Sequence, residues 1–142
     1  MGDIQITSNS RKVGSEIDKA FKRALTIIGM KAESYAKALT PVDTGLLRNS
    51  VTFALGGAQP GVQQYASNTG DATGTYEGQA PADQDGQMSV YIGTNVHYAP
   101  YVELGHNTRA GNFVQPKAFL RPAVEGHTDE YKDVIESELS KI

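Results

Sequence analysis

The sequence predicts an α+β domain: a long N-terminal helix and a C-terminal helix packed on one face of a small, mainly antiparallel sheet, with a long Gly-rich loop between strands. Three patterns lead to this. Apolar residues recur three or four apart over residues 15–39 and again over 122–141. Residues 51–55 and 88–96 alternate with period two. Between those two runs, residues 56–87 are rich in glycine, small polar residues and acids.

The first helix is expected over Ser15–Leu39, with Ser15 and Asp18 in the spacing of a capping box. Ile17, Phe21, Ala24, Leu25, Ile28, Ala32, Tyr35, Ala36 and Leu39 form its stripe, widened by Ile27 and Met30. The breadth suits either a core-facing side or a contact between subunits. Pro41 ends the helix by driving Thr40 out of the α region. Asp43 and Thr44 suit a turn or a short helix start, Gly45 permits backbone that a side chain would penalise, and Leu46 and Leu47 are apolar anchors. Val51–Leu55 is then a strand.

Residues 56–87 read as a flexible loop insertion in a single domain spanning 1–142. Tyr65 and Tyr76 mark a short hairpin within it, with Asn68-Thr69-Gly70-Asp71 near the tip. Gly56, Tyr65, Asp71, Tyr76, Asp83 and Asp85 are its candidate assembly residues, because order in so polar a segment is expected to depend on a partner. Met88–Val96 is the clearest strand. His97–Gly105 suits a helical turn with Pro100 at its start and Gly105 beyond its end. Residues 106–117 read as a polar loop and Ala118–Leu120 as a short strand or packed corner. The last helix is expected from Pro122 to Lys141, weakened in its first turn by Gly126.

At 142 residues the chain supports one modest core. It has no cysteine, so disulfides and thiolate metal sites are excluded. Its start lacks the basic and apolar regions of a signal peptide, and no apolar run reaches membrane-spanning length, so no membrane role is expected. The net charge of −3 is unevenly spread. Residues 1–48 carry +3, residues 49–108 carry five acids and no Lys or Arg, and residues 109–142 carry −1. A sixty-residue stretch without a cation is no phosphate-binding surface, which argues against sequence-specific nucleic-acid binding. Acidic and basic parts of different copies could instead face each other, or the charges could simply be two solvated faces.

Candidate chemistry is sparse. His97, Glu103 and His106 have the composition of a two-histidine, one-carboxylate metal site; the plainer reading is two histidines flanking a surface turn. No serine lies in a nucleophile elbow, and the glycines of 70–74 lack the lysine of a phosphate loop. Asp43 is explained by capping. No enzyme activity, cofactor or metal is expected.

Three segments carry a resemblance. The first is Thr40-Pro41-Val42-Asp43-Thr44-Gly45-Leu46-Leu47-Arg48-Asn49-Ser50-Val51, similar to a Pro-Val-Asp-Thr-Gly-x-Leu-Arg-x-Ser pattern after a long helix. The second is Val90-Tyr91-Ile92-Gly93-Thr94 followed by Tyr98-Ala99-Pro100-Tyr101-Val102-Glu103-Leu104-Gly105. The third is Pro116-Lys117-Ala118-Phe119-Leu120-Arg121-Pro122-Ala123, with Ala118 where a second proline is commoner. In this order they resemble the tail-completion proteins (head–tail joining, or minor tail, proteins) of long-tailed bacteriophages and prophages. The resemblance implies a virion structural protein at the head–tail junction, present in the host cytoplasm during assembly. It would cap the tail tube as a homo-oligomeric ring, commonly of six copies, and meet the tail-tube protein and a head-completion or neck protein. The free chain would be a monomer. Pro41, Asp43, Thr44, Gly45, Leu46, Arg48, Tyr98, Glu103, Gly105, Phe119, Leu120, Arg121 and Pro122 would be fold-signature or interface residues. Among them, Arg48 and Arg121 are candidates to bridge subunits or to pin the corner to Glu103. The alternatives are another neck or tail-tube ring subunit, or a small metal-binding module.

Overall fold

The computed structural model describes residues 10–43, 45–56, 61–78 and 88–142. In chain order its elements are α1 (Ser10–Leu39), α2 (Leu46–Ser50), β1 (Thr52–Leu55), β2 (Gly61–Ala66), β3 (Thr73–Gly78), β4 (Val90–Gly93), α3 (Ala99–Leu104), β5 (His106–Asn107), β6 (Phe113–Val114), α4 (Leu120–Glu125) and α5 (Thr128–Leu139). The α+β architecture is the one the periodicities predict. The strands form three antiparallel two-stranded ladders rather than one sheet.

The central ladder pairs β1 with β4, Phe53 opposite Ile92 and Leu55 opposite Val90. Because strand side chains alternate, Phe53, Val90 and Ile92 share the face that α1 covers. Val134 and Ile135 of α5 join that side, packing with Val90 and Ile92 against Ile28, Ala32 and Tyr131. A second cluster gathers Ala36, Leu47, Val51, Val96, Ala99, Phe119 and Ala123. Tyr35 and Ile92 touch both clusters and join them into one core.

Alanines at positions 20, 24, 32 and 36, all buried, let α1 lie close to its neighbours. Gly29 lies closer still: a Cβ there would come within 2.4 Å of Phe53 Cδ2 and 2.9 Å of Val90 Cγ2. Gly14, in the same helix, would meet nothing within 4 Å. The two glycines therefore predict opposite outcomes. Gly14→Ala should stabilise by about 0.5–1 kcal/mol through helix propensity. Gly29→Ala should destabilise by about 1–3 kcal/mol through overpacking. Thermal unfolding of the two variants checks the pair.

Two sequence readings need correction here. The first helix begins at Ser10, so Ser15 lies inside it rather than at its cap. The last helix is broken at Gly126–His127 into α4 and α5. Gly126, a weak helix former, caps α4, its N–H donating to Pro122 O at 2.9 Å. His127 then stacks on Tyr35, with ring centroids 3.6 Å apart.

Ion pairs and a phenol fasten α5 to α1. Lys31 Nζ and Tyr35 Oη donate to Glu130 at 2.8 and 2.6 Å. At the other end Arg23 Nε and Lys141 Nζ donate to Glu138 at 3.2 and 2.9 Å. The Lys31 ammonium, then the Tyr35 hydroxyl, hold the Glu130 carboxyl below its ordinary value. Lys141, then Arg23, do the same for Glu138. Folded-state values below the unfolded ones give stability that is fully present above the ordinary carboxylate range. That stability is lost as pH falls through the folded values. The unfolding midpoint should therefore drop as pH falls through and below the ordinary carboxylate range, and the Glu130→Gln, Glu138→Gln double variant should show a shallower dependence.

Candidate interaction surface

The corner after α1 is built from its own residues. Thr40 turns its N–H and its hydroxyl to Ala36 O, at 2.9 and 2.6 Å, and closes the helix at Leu39 as Pro41 requires. Gly45 has φ +80°, a left-handed conformation that penalises any side chain. Its missing Cβ also leaves room for Asn68, which would lie 2.5 Å from one. Leu47 and Ser50 are buried, and the Ser50 hydroxyl bonds Leu47 O and Thr94. Val42, Asp43 and Arg48 are exposed. Thr44 lies outside the described residues, as do Asp83 and Asp85.

The stretch read as a loop with a hairpin at Tyr65 and Tyr76 carries a longer hairpin than those residues suggested. Strands β2 and β3 pair over six positions, from Gly61 opposite Gly78 to Ala66 opposite Thr73. The turn holds the four tip residues named from sequence. There Ser67 and Thr69 donate to Asp71 at 2.7 and 2.5 Å, and the Thr69 and Ser67 hydroxyls hold its carboxyl below the usual carboxylate range. Two asparagines tie the hairpin to the domain. Asn49 Nδ2 donates to Ala66 O at 2.7 Å, and Asn95 Nδ2 to Thr75 O at 2.7 Å. Tyr65 Oη donates to Asn95 at 2.7 Å, and Tyr76 lies beside Gly93. Gly56 N–H donates to Ser89 O and extends the β1–β4 pairing. Neither asparagine stood out in the sequence, because each makes its contact across a long separation.

Glu103 is the most heavily used polar group of the signature segments. Its carboxylate accepts the backbone N–H groups of Phe119, Leu120 and Arg121 at 2.7, 3.1 and 2.9 Å. These are the free amides at the start of α4, and the next residue, Pro122, has none to satisfy. Sequence reasoning singled out Glu103 with Arg48 and Arg121, and offered a guanidinium either as a bridge between subunits or as a pin to Glu103. The Arg121 guanidinium instead meets Glu125 at 3.0 Å in solvent, and Arg48 makes no bond to Glu103. With its oxygens so occupied, Glu103 does not join His97 and His106. Among the described residues no three His, Asp or Glu side chains gather as metal ligands.

Residues of all three segments line an open groove of about 610 Å³, among them Pro41, Val42, Leu46, Tyr98, Val102 and Lys117. Beside it runs an apolar surface: Tyr101 is 56 %, Leu104 72 % and Phe113 54 % exposed. Phe113 and Val114 lie on the two-residue ladder β5–β6, which folds back against Gly105. This ladder replaces the loop read at 106–117. Gly105 has φ +77°, and its absent Cβ would fall 2.6 Å from Val114 O, so the fold-back depends on glycine. The groove is open, and an exposed apolar surface adjoins it. Among the described residues no helix is long and apolar enough to cross a membrane.

Comparison with known families bears on what such a surface is for. Residues 4–105 match the HK97-gp10-like family, described as "Bacteriophage HK97-gp10, putative tail-component". The chain belongs to this family. The match runs from before α1 to Gly105 and so takes in the corner, the β2–β3 hairpin and α3. The third segment, residues 116–123, lies beyond it. Neither a curated protein nor a solved structure matches significantly. Membership places this HK97-gp10-like chain among phage tail components, which work against other virion proteins.

Proposed function

We propose that this HK97-gp10-like protein completes the phage tail: it caps the head-proximal end of the tail tube as a ring and offers the surface to which the head attaches. The family match over residues 4–105 carries this reading. The exposed apolar surface around α3 and the adjoining groove give it physical support, since large exposed apolar patches mark sites of protein contact. Its action would be assembly. Burial of these surfaces between copies, and against the tail-tube protein on one side and a neck protein on the other, would stop tube growth. In this reading Arg48, exposed at the corner, and the outward residues of the β2–β3 hairpin are contact residues, and no chemical step is required.

Removing the chain from a phage that encodes it tests the proposal. Tails of irregular or excessive length, with capsids left unjoined, are expected in electron micrographs. Tails of normal length joined to capsids would overturn it. Absence of tubes altogether would point to a tube subunit instead.

A further inference from the structure

Helices α1 and α5 carry opposite charge. By sequence α1 holds seven basic and three acidic residues, and α5 five acidic and one basic. Part of that complement is used where the two helices pack. Arg23 pairs with Glu138 and Lys31 with Glu130, while Lys37 pairs with Glu33 along α1. Asp129, Asp133 and Glu136 of α5 remain, and all three are exposed. Spaced four and three apart, they share one face, opposite the face on which Tyr131, Val134 and Glu138 meet α1. Lys132 stands at the border of this stripe and leaves it net acidic.

On α1, Lys19 and Lys22 are exposed and lie outside the ion pairs formed among the described residues. Lys22 is about 100° around the helix from Arg23, which reaches α5, so it occupies the flank turned away from α5. Glu16 and Asp18 lie close to this pair, but residues 10–23 hold five basic residues against those two acids. Farther along, the same exposed side passes Met30, and the next acid, Glu33, is neutralised by Lys37.

Other charged groups match less well. Asp71 is held by the Ser67 and Thr69 hydroxyls, Glu103 by three backbone amides and Glu125 by Arg121. The α5 stripe is therefore the concentrated acidic surface among the described residues. Arg109 and Lys117 stand singly, whereas Lys19 and Lys22 repeat the three-residue step of Asp133 and Glu136 along a helix. Two helices laid side by side meet that step at two points at once. One chain cannot make this contact with itself, because the two flanks face away from each other while α1 and α5 pack.

We infer that the acidic outer face of α5 docks on the basic flank of α1, around Lys19 and Lys22, of a second copy. The contact is heterologous, so it propagates from copy to copy and closes into a ring when the rotation allows. Exposed ion pairs add little affinity each and are weakened by salt. The contact therefore sets the register of neighbouring copies once the tube end has gathered them. The inference rests on the ring reading above and names the surfaces that build it.

A zero-length carbodiimide joins a lysine amine to a carboxylate where the two are in contact. Mixing isotopically light and heavy copies separates links between copies from links within one. Links between copies from Lys19 or Lys22 to Asp129, Asp133 or Glu136 are expected on assembled tails and in concentrated protein at low salt, fading as salt rises. The Lys19→Glu, Lys22→Glu variant and the Asp133→Lys, Glu136→Lys variant change exposed residues only, so each should keep its melting temperature. Each should lower the yield of joined particles about tenfold or more, and a chain carrying all four changes should recover it, because the reversed faces match again. Absence of these links in both preparations, or α5 acids that link to Lys117 of another copy instead, overturns the inference. So does a four-change chain that performs no better than either pair of changes. If the charge-reversed chains still cap tails and no link forms, the docking mode fails and the ring reading stands. If the links form but the chain is missing from the tail end, the ring reading fails and the contact stands.

Discussion

Phe119→Ala should destabilise the domain by about 3–5 kcal/mol, the largest effect expected of any single substitution. Phe119 is fully buried and is the largest side chain so enclosed among the described residues. Its cluster partners include Ala36 on α1, Ala99 on α3 and Ala123 on α4. Alanines on three separate helices have no side chain to swing into the vacated space, so the cavity would persist and the cost falls at the upper end. A domain of this size holds only about 5–15 kcal/mol in total. Urea unfolding should show a much lower midpoint with an unchanged slope. An unaltered midpoint would mean that the corner before α4 does not anchor the core.

Glu103→Ala should cost about 2–4 kcal/mol, because it strands three amides at once. Phe119, Leu120 and Arg121 all donate to this one carboxylate. Glu103→Gln keeps a single acceptor oxygen and turns a donor toward the remaining amides, so a loss of about 1–2 kcal/mol is expected. Arg121→Ala separates the two explanations of the motif. It keeps the backbone N–H and removes only an exposed pair with Glu125, so it should change stability by about 0.5 kcal/mol or less. If Arg121→Ala costs as much as Glu103→Ala, the guanidinium matters and the backbone account is wrong. Thermal or urea unfolding of the three variants decides between them.

These two predictions show where the sequence was informative. Local signals were enough for α1 and its end at Leu39, for β1, for the Val90–Gly93 part of the strand expected over Met88–Val96, and for the hairpin tip at Asn68–Asp71. Each of these depends on residues within a few positions of one another. The break at Gly126–His127 was underestimated because the apolar spacing continues through it, while the stack of His127 on Tyr35 of α1 is a contact across the chain. The ladder β5–β6 is two residues per strand, too short for a period to register. The sequence shows no sign of what Gly29 is for, because its role is the approach of Phe53 and Val90 from strands far along the chain. Glu103 was recognised as a residue that matters, but its partners are backbone amides, which no side-chain pattern reveals.

The same limit applies to the surfaces. Exposure of Leu104, Tyr101 and Phe113 is a property of the folded chain, and in the sequence these residues were indistinguishable from core.

Electron cryomicroscopy of joined particles tests the central claim most directly. A ring of this chain should appear once per tail, between the last layer of tube subunits and the neck. Density for the chain repeating along the tube, or its absence from the junction of intact particles, would contradict the account.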